Sequence, residues 1–178
     1  MLASPLRLAV IVGSVRAGRF GPTVANWFSG QAGDHPDLAV DVVDLADTAF
    51  PCPEFTSRIG TADAIVIVTP EYNHSYPGEL KIAIDSVRSE WRAKPIGFVS
   101  YGGISGGLRA VEQLRLVFAE LHAVTVRETV SFHQAHQRFD HDGEPREPGA
   151  ALAAGALLDQ LTWWAHALRD ARAVRPYA

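Results

Sequence analysis

The chain has 178 residues, of which 47% are hydrophobic and 20% charged, and its net charge is -4 with no long block of one sign. That length allows one domain, residues 1–178, with a real core, and the charge balance argues against general nucleic-acid binding. No apolar stretch is long enough to span a bilayer, no signal peptide is expected from Met1 to Leu6, and the single cysteine, Cys52, excludes an intrachain disulfide. A cytoplasmic location fits these features.

Leu8-Ala9-Val10-Ile11-Val12 is a continuous apolar run and reads as a buried strand. Gly13 to Gly18 reads as a loop. Thr23 to Gly30, or slightly beyond, reads as a helix with Val24, Trp27 and Phe28 on one side. Leu38 to Leu45 is the second expected strand, and the proline-containing Thr48 to Phe55 reads as an irregular connection. Cys52 lies there between Pro51 and Pro53. No positive neighbour or helix N-terminus is visible to activate it, so it reads as a loop or packing cysteine. Ala64 to Val68 is the third strand, ended by Pro70, which lacks a ladder donor.

Pro77 to Trp91 reads as a helix with Leu80, Ile84 and Val87 at helical spacing, and Pro95 to Ser100 as the fourth strand. Gly107 to His122 is a further helix whose apolar face is Leu108, Val111, Leu114, Val117 and Phe118. Val124 to Val130 is the fifth strand, and Pro148 to Arg172 a long closing helix. Trp163 and Trp164 are adjacent in that helix, so one should be core and the other exposed. Gln134 to Gly149 is polar and reads as a mobile connection or a lip. His133, His136 and His141, with Asp140 and Asp142, follow no zinc spacing, so no metal site is expected. Strand–helix alternation predicts a five-stranded parallel sheet with helices on both faces, in the flavodoxin-like order 2-1-3-4-5.

Three loops at the carboxyl ends of strands carry the chemistry. The first, Gly13-Ser14-Val15-Arg16-Ala17-Gly18-Arg19-Phe20-Gly21-Pro22-Thr23, runs into a helix N-terminus, whose free N–H groups attract phosphate. Ser14 and Thr23 offer hydroxyls, and Arg16 or Arg19 offers a bidentate guanidinium. There is no Walker A lysine–serine pair and no G-x-G-x-x-G, so a mononucleotide fits better than a pyrophosphate. The second loop, Pro70 to Lys81, supplies backbone amides, the Asn73 amide, the phenols of Tyr72 and Tyr76, and the Ser75 hydroxyl, which suit a flat, heteroatom-rich ligand. The third, Ser100-Tyr101-Gly102-Gly103-Ile104-Ser105-Gly106-Gly107, exposes backbone N–H groups beside the same sheet edge. In the expected strand order the three loops converge at the switch point, where ligands of open α/β sheets bind.

Together, Gly13-Ser14-Val15-Arg16, Pro70-Glu71-Tyr72-Asn73-His74-Ser75 with Pro77 to Lys81, and Gly102 to Ala110 resemble the NAD(P)H-dependent FMN reductases of the flavodoxin-like superfamily. The resemblance covers the first three quarters of the chain. It implies noncovalent FMN, with NADPH or NADH as co-substrate. It places Ser14, Arg16 and the turn Gly21-Pro22-Thr23 on the phosphate. It sets Pro70, Glu71, Tyr72, Asn73 and Ser75 along the ring, largely through backbone groups, and Gly102, Gly103 and Ser105 at its pyrimidine end. Tyr72 and Tyr101 would shape the ring pocket. It also implies a small electron acceptor (a quinone, free flavin, azo compound or metal oxyanion) and a homodimer or homotetramer. No side chain is expected to act as nucleophile or general base. Glu71, Tyr72 and His74 read as scaffold. The alternative is a flavodoxin-like electron carrier that binds FMN without oxidising NAD(P)H. Carriers of that kind tend to be more acidic, with hydroxyl-rich phosphate loops, and the arginines here favour the enzyme.

Overall fold

Strands β1 (Leu6–Val12), β2 (Leu38–Asp44), β3 (Ala64–Pro70), β4 (Pro95–Gly102) and β5 (Val124–His133) form one sheet in the order β2-β1-β3-β4-β5, and every pairing is parallel. This computed structural model describes residues 4–177, so the reading of Met1 to Leu6 falls in part outside the described residues. The helices are α1 (Gly21–Gly33), α2 (Pro53–Thr61), α3 (Gly78–Asp85), α4 (Leu108–Glu120), the short α5 (Ala135–Arg138) and α6 (Gly149–Val174). Among the described residues no helix is long and apolar enough to cross a membrane.

The central strands carry continuous apolar runs because both sheet faces are covered. Leu8, Val10, Val12, Val66, Val68 and Val99 pack against α1 and α6 through Val24, Phe28, Leu157 and Leu161. Ala9, Ile11, Ile65, Ile67, Ile96 and Phe98, one residue out of phase, pack against α2, α3 and α4 through Phe55, Ile59, Leu80, Ile84, Leu114 and Phe118. Gly97 leaves room for α6: a Cβ there would lie 3.0 Å from Leu157 Cδ1. Trp163 is exposed while Trp164 packs against the core, as the spacing requires.

Several boundaries differ from the sequence reading. The irregular connection before β3 contains α2. Pro53 sits in its first turn, where a missing N–H costs nothing, and Phe55 and Ile59 fall on one buried face. Cys52 is the N-cap of α2, its Sγ accepting from Phe55 N at 3.4 Å, so a helix N-terminus does adjoin it. Pro70 does not end β3 early: it is the last strand residue, paired with Tyr101 across its carbonyl side, where Glu71 N donates to Tyr101 O at 3.1 Å. The helix expected over Pro77 to Trp91 stops at Asp85 and gives way to a single 3₁₀ turn at Ser89–Trp91, where the Trp91 indole donates to Ile84 O and Val87 O. Leu108 starts α4 but is exposed, not core. The segment after β5 is anchored: Phe139 is buried against Phe132 and Phe20, and Arg146 N donates to Arg138 O at 2.8 Å.

Candidate functional site

The loops after β1, β3 and β4 meet at the carboxyl edge of adjacent strands. The first loop is tied to the sheet by Gly13 N donating to Val68 O at 2.9 Å. Ser14 is fully buried. Its Oγ accepts from the Tyr101 hydroxyl at 3.1 Å, and burial pushes the Tyr101 phenol well above its ordinary pKa, so it stays a donor. Gly21 opens α1 directly against this pair. A Cβ there would sit 2.4 Å from Ser14 Oγ and 2.9 Å from Tyr101 Oη, so only glycine lets the helix start come this close. No side chain caps α1, and Pro22 lies in its first turn, which leaves that turn's N–H groups facing the loop.

The two arginines have different positions. Arg19 donates to Ser14 O at 2.9 Å and pairs with Asp44, the last residue of β2, at 2.6 Å, a hydrogen bond that raises its pKa. Arg16 is exposed and has no carboxylate partner among the described residues. Its guanidinium carbon lies 3.6 Å from the centroid of the Tyr72 ring. That contact bridges the first and second loops.

The second loop begins with a tight turn. Tyr72 and Ser75 exchange both backbone hydrogen bonds, at 2.8 and 3.1 Å, around Asn73 (φ 50°) and His74 (φ 73°). Two successive positive φ values make a type I′ turn, which asparagine tolerates well. Gln113 of α4 clasps it: Ser75 Oγ donates to Gln113 Oε1 at 2.6 Å, and Gln113 Nε2 donates to His74 O at 2.9 Å. Glu71 faces the third loop and accepts from Ser105 Oγ at 2.5 Å, Arg109 N at 3.2 Å and Arg109 Nη1 at 3.1 Å. Burial alone would raise the Glu71 carboxyl; these donors outweigh it and hold the group below its ordinary pKa. Burial raises the Tyr72 phenol against the opposing pull of Arg16.

The third loop turns through Gly106 (φ 62°) and Gly107 (φ 86°), and Gly103 faces open space. Ser14, Arg16, Gly21, Tyr72, Glu71, Tyr101 and Ser105 are thus linked across the three loops by direct contacts, with Pro22 and Thr23 in the first turn of α1 and Gly102 at the end of β4. Arg19 faces Asp44, and Asn73 and His74 are exposed at the turn's tip. Sequence reading did not single out Asp44 or Gln113, and it weighed His133 only as a metal ligand, whereas its ring holds Ile104 O. Asp140, His141 and Asp142 cluster in a turn beside Thr23, where Asp140 accepts from the backbone of its own turn.

Residues 6–137 match the family described as NADPH-dependent FMN reductase. The chain belongs to that family. The NAD(P)H-dependent FMN reductase of Schizosaccharomyces pombe is 35% identical over 120 residues, which span 57% of this chain and 60% of the yeast protein. A quinone reductase of Pseudomonas putida is 36% identical over 177 residues, 88% of this chain and 93% of that one. Among solved structures, a flavoenzyme NAD(P)H:(acceptor) oxidoreductase of Paracoccus denitrificans superposes with a TM-score of 0.73 at 22% identity, covering 91% of this chain and 98% of that one, which speaks to the fold. The cradle fits the cofactor of an FMN reductase. It has a helix start too close for any Cβ, a guanidinium free of carboxylates, and a glycine loop of open backbone amides.

Proposed function

We propose that this chain is an FMN-dependent NAD(P)H oxidoreductase acting on small acceptors such as quinones, flavins, azo compounds or metal oxyanions. When bound, FMN supplies the redox chemistry, accepting hydride from NADPH or NADH and passing reducing equivalents to the acceptor. The observation that carries this reading is the convergence of an uncommitted arginine and a Cβ-excluding helix start on one side of the Tyr72–Ser75 turn with open glycine amides on the other.

Ser14, Arg16 and the Gly21-Pro22-Thr23 turn hold the phosphate, with Arg19 bracing the loop from Asp44. Pro70, Glu71, Tyr72, Asn73 and Ser75 form the wall beside the ring. Tyr101 supports Ser14 from below, and Gly102, Gly103 and Ser105 face the pyrimidine end. Glu71 and Ser75 spend their side chains on Ser105, Arg109 and Gln113, which supports a scaffold role and leaves main-chain groups for the ring. No nucleophile or general base is assigned. The whole chain acts as one unit in the cytoplasm, and the exposed Ile82 on α3 with Leu108 and Leu116 on α4 supports a homodimer or homotetramer.

Titration of FMN into the purified protein tests the assignment. Arg16→Ala should weaken FMN binding by about 1.5–3 kcal/mol, the scale of a hydrogen bond to a charged group. An unchanged affinity would remove Arg16 from the phosphate.

A further inference from the structure

The glycine loop after β4 is oriented by its carbonyls. Gly103 O accepts from Gln134 N at 2.9 Å, Ile104 O from His133 Nδ1 at 2.9 Å, and Gly106 O from Ser100 Oγ at 2.8 Å and Ser131 Oγ at 2.9 Å. Three of those four donors lie on β5 or on the residue that follows it. In a trans peptide the N–H of the next residue points opposite to the carbonyl. With the Gly103 and Ile104 carbonyls drawn toward β5, the N–H groups of Ile104 and Ser105 turn away from β5, toward the side on which β3 lies. Among the described residues, no main-chain N–H from Gly103 to Gly107 donates to a protein acceptor.

The loop is also tied through Ser105, whose Oγ donates to Glu71 at 2.5 Å and whose carbonyl accepts from Leu108 N at 3.1 Å, but among the described residues nothing else holds the Ile104 end. Ile104 is 81% exposed, and a Cβ on Gly103 would meet nothing within 4 Å. The His133 ring itself packs on Gly106, where a Cβ would come within 2.7 Å of Cδ2. A carbonyl oxygen only accepts, so Nδ1 of His133 carries the proton.

We propose that His133 is a positioning residue for the flavin: by holding the Ile104 carbonyl it aims the Ser105 N–H at the ring's pyrimidine end. This rests on the FMN reading above. The pyrimidine end carries carbonyl oxygens and gains negative charge on reduction, so a fixed N–H favours both binding and the reduced ring. Asparagine places an amide nitrogen on the same Cγ that bears Nδ1 in histidine, so His133→Asn retains the donor while His133→Leu removes it.

FMN dissociation constants from quenching of flavin fluorescence, and midpoint potentials from equilibration with a reference dye, separate the cases. His133→Leu should bind FMN roughly three- to tenfold more weakly, the loss of one net hydrogen bond, with a more negative potential. His133→Asn should stay within about twofold of the parent in affinity and match its potential. Wild-type affinity and potential in His133→Leu would overturn the proposal while leaving the FMN reading intact. Equal impairment of both variants would also overturn it, by showing that ring packing and not the donor matters. A parent protein that takes up no FMN would overturn the FMN reading itself, and the proposal with it.

Discussion

At the scale of single residues, the proposed phosphate cradle depends on a buried hydroxyl pair. Tyr101 crosses beneath the first loop to reach Ser14, and Gly21 closes over both. Tyr101→Phe removes one buried hydrogen bond while keeping the ring's contact with Phe20. It should cost about 0.5–1.5 kcal/mol of stability and weaken FMN binding, because Ser14 loses the donor that fixes its rotamer. Denaturant unfolding and FMN titration of the same variant check both effects, and an unaltered unfolding midpoint would contradict the first. Much of this cradle is legible in the sequence. A strand, a glycine–serine start and a helix opening on Gly-Pro-Thr place Ser14 and Arg16 through local geometry alone. The contacts that brace the three loops are not legible, because Asp44 on Arg19, Gln113 on His74 and His133 on Ile104 arrive from other strands and helices, at sequence separations that no local pattern encodes.

Among the elements, α2 shows where local reading fails and tertiary packing decides. Two prolines and a glycine obscure a helix of nine residues that buries just Phe55 and Ile59. Its C-terminal carbonyls are closed by a residue 34 positions away: Lys94, almost wholly buried at the start of β4, donates to Ile59 O at 2.6 Å and Gly60 O at 2.8 Å. Burial, aided by nearby Arg172, lowers the Lys94 ammonium from 10.5 to about 8. Below about pH 8 the folded and unfolded chains both hold this proton, and the cost of the buried charge is fully present. Between about 8 and 10.5 the unfolded chain holds a proton that the folded chain has released, so stability rises with pH. The neutral amine still has two hydrogens for the two carbonyls. The stability of the parent relative to Lys94→Met should therefore increase across that window, as read by urea unfolding at a series of pH values. A difference that is flat or falling would contradict the account.

For the whole molecule, topology makes the site. The order β2-β1-β3-β4-β5 sets β1 beside β3, so the loops after β1 and β3 open on opposite sides of the switch point while β4 brings the glycine loop alongside. This architecture was legible because both-face burial gives central strands continuous apolar runs and the helices a separate period. Strand ends were less legible: β4 and β5 run two and three residues past their expected ends, through the pairs Tyr101–Phe132 and Gly102–His133, where glycine and polar residues break the apolar run. The central claim is that the convergent loops hold a flavin able to react with a nicotinamide. Anaerobic mixing of the FMN-loaded protein with NADPH, and separately with NADH, tests it most directly through the visible absorbance of oxidised flavin. Rapid bleaching by at least one nucleotide, with colour restored on adding a quinone, is the expected result. Persistence of the oxidised spectrum with both nucleotides would contradict the reductase account and leave an FMN-binding electron carrier in its place.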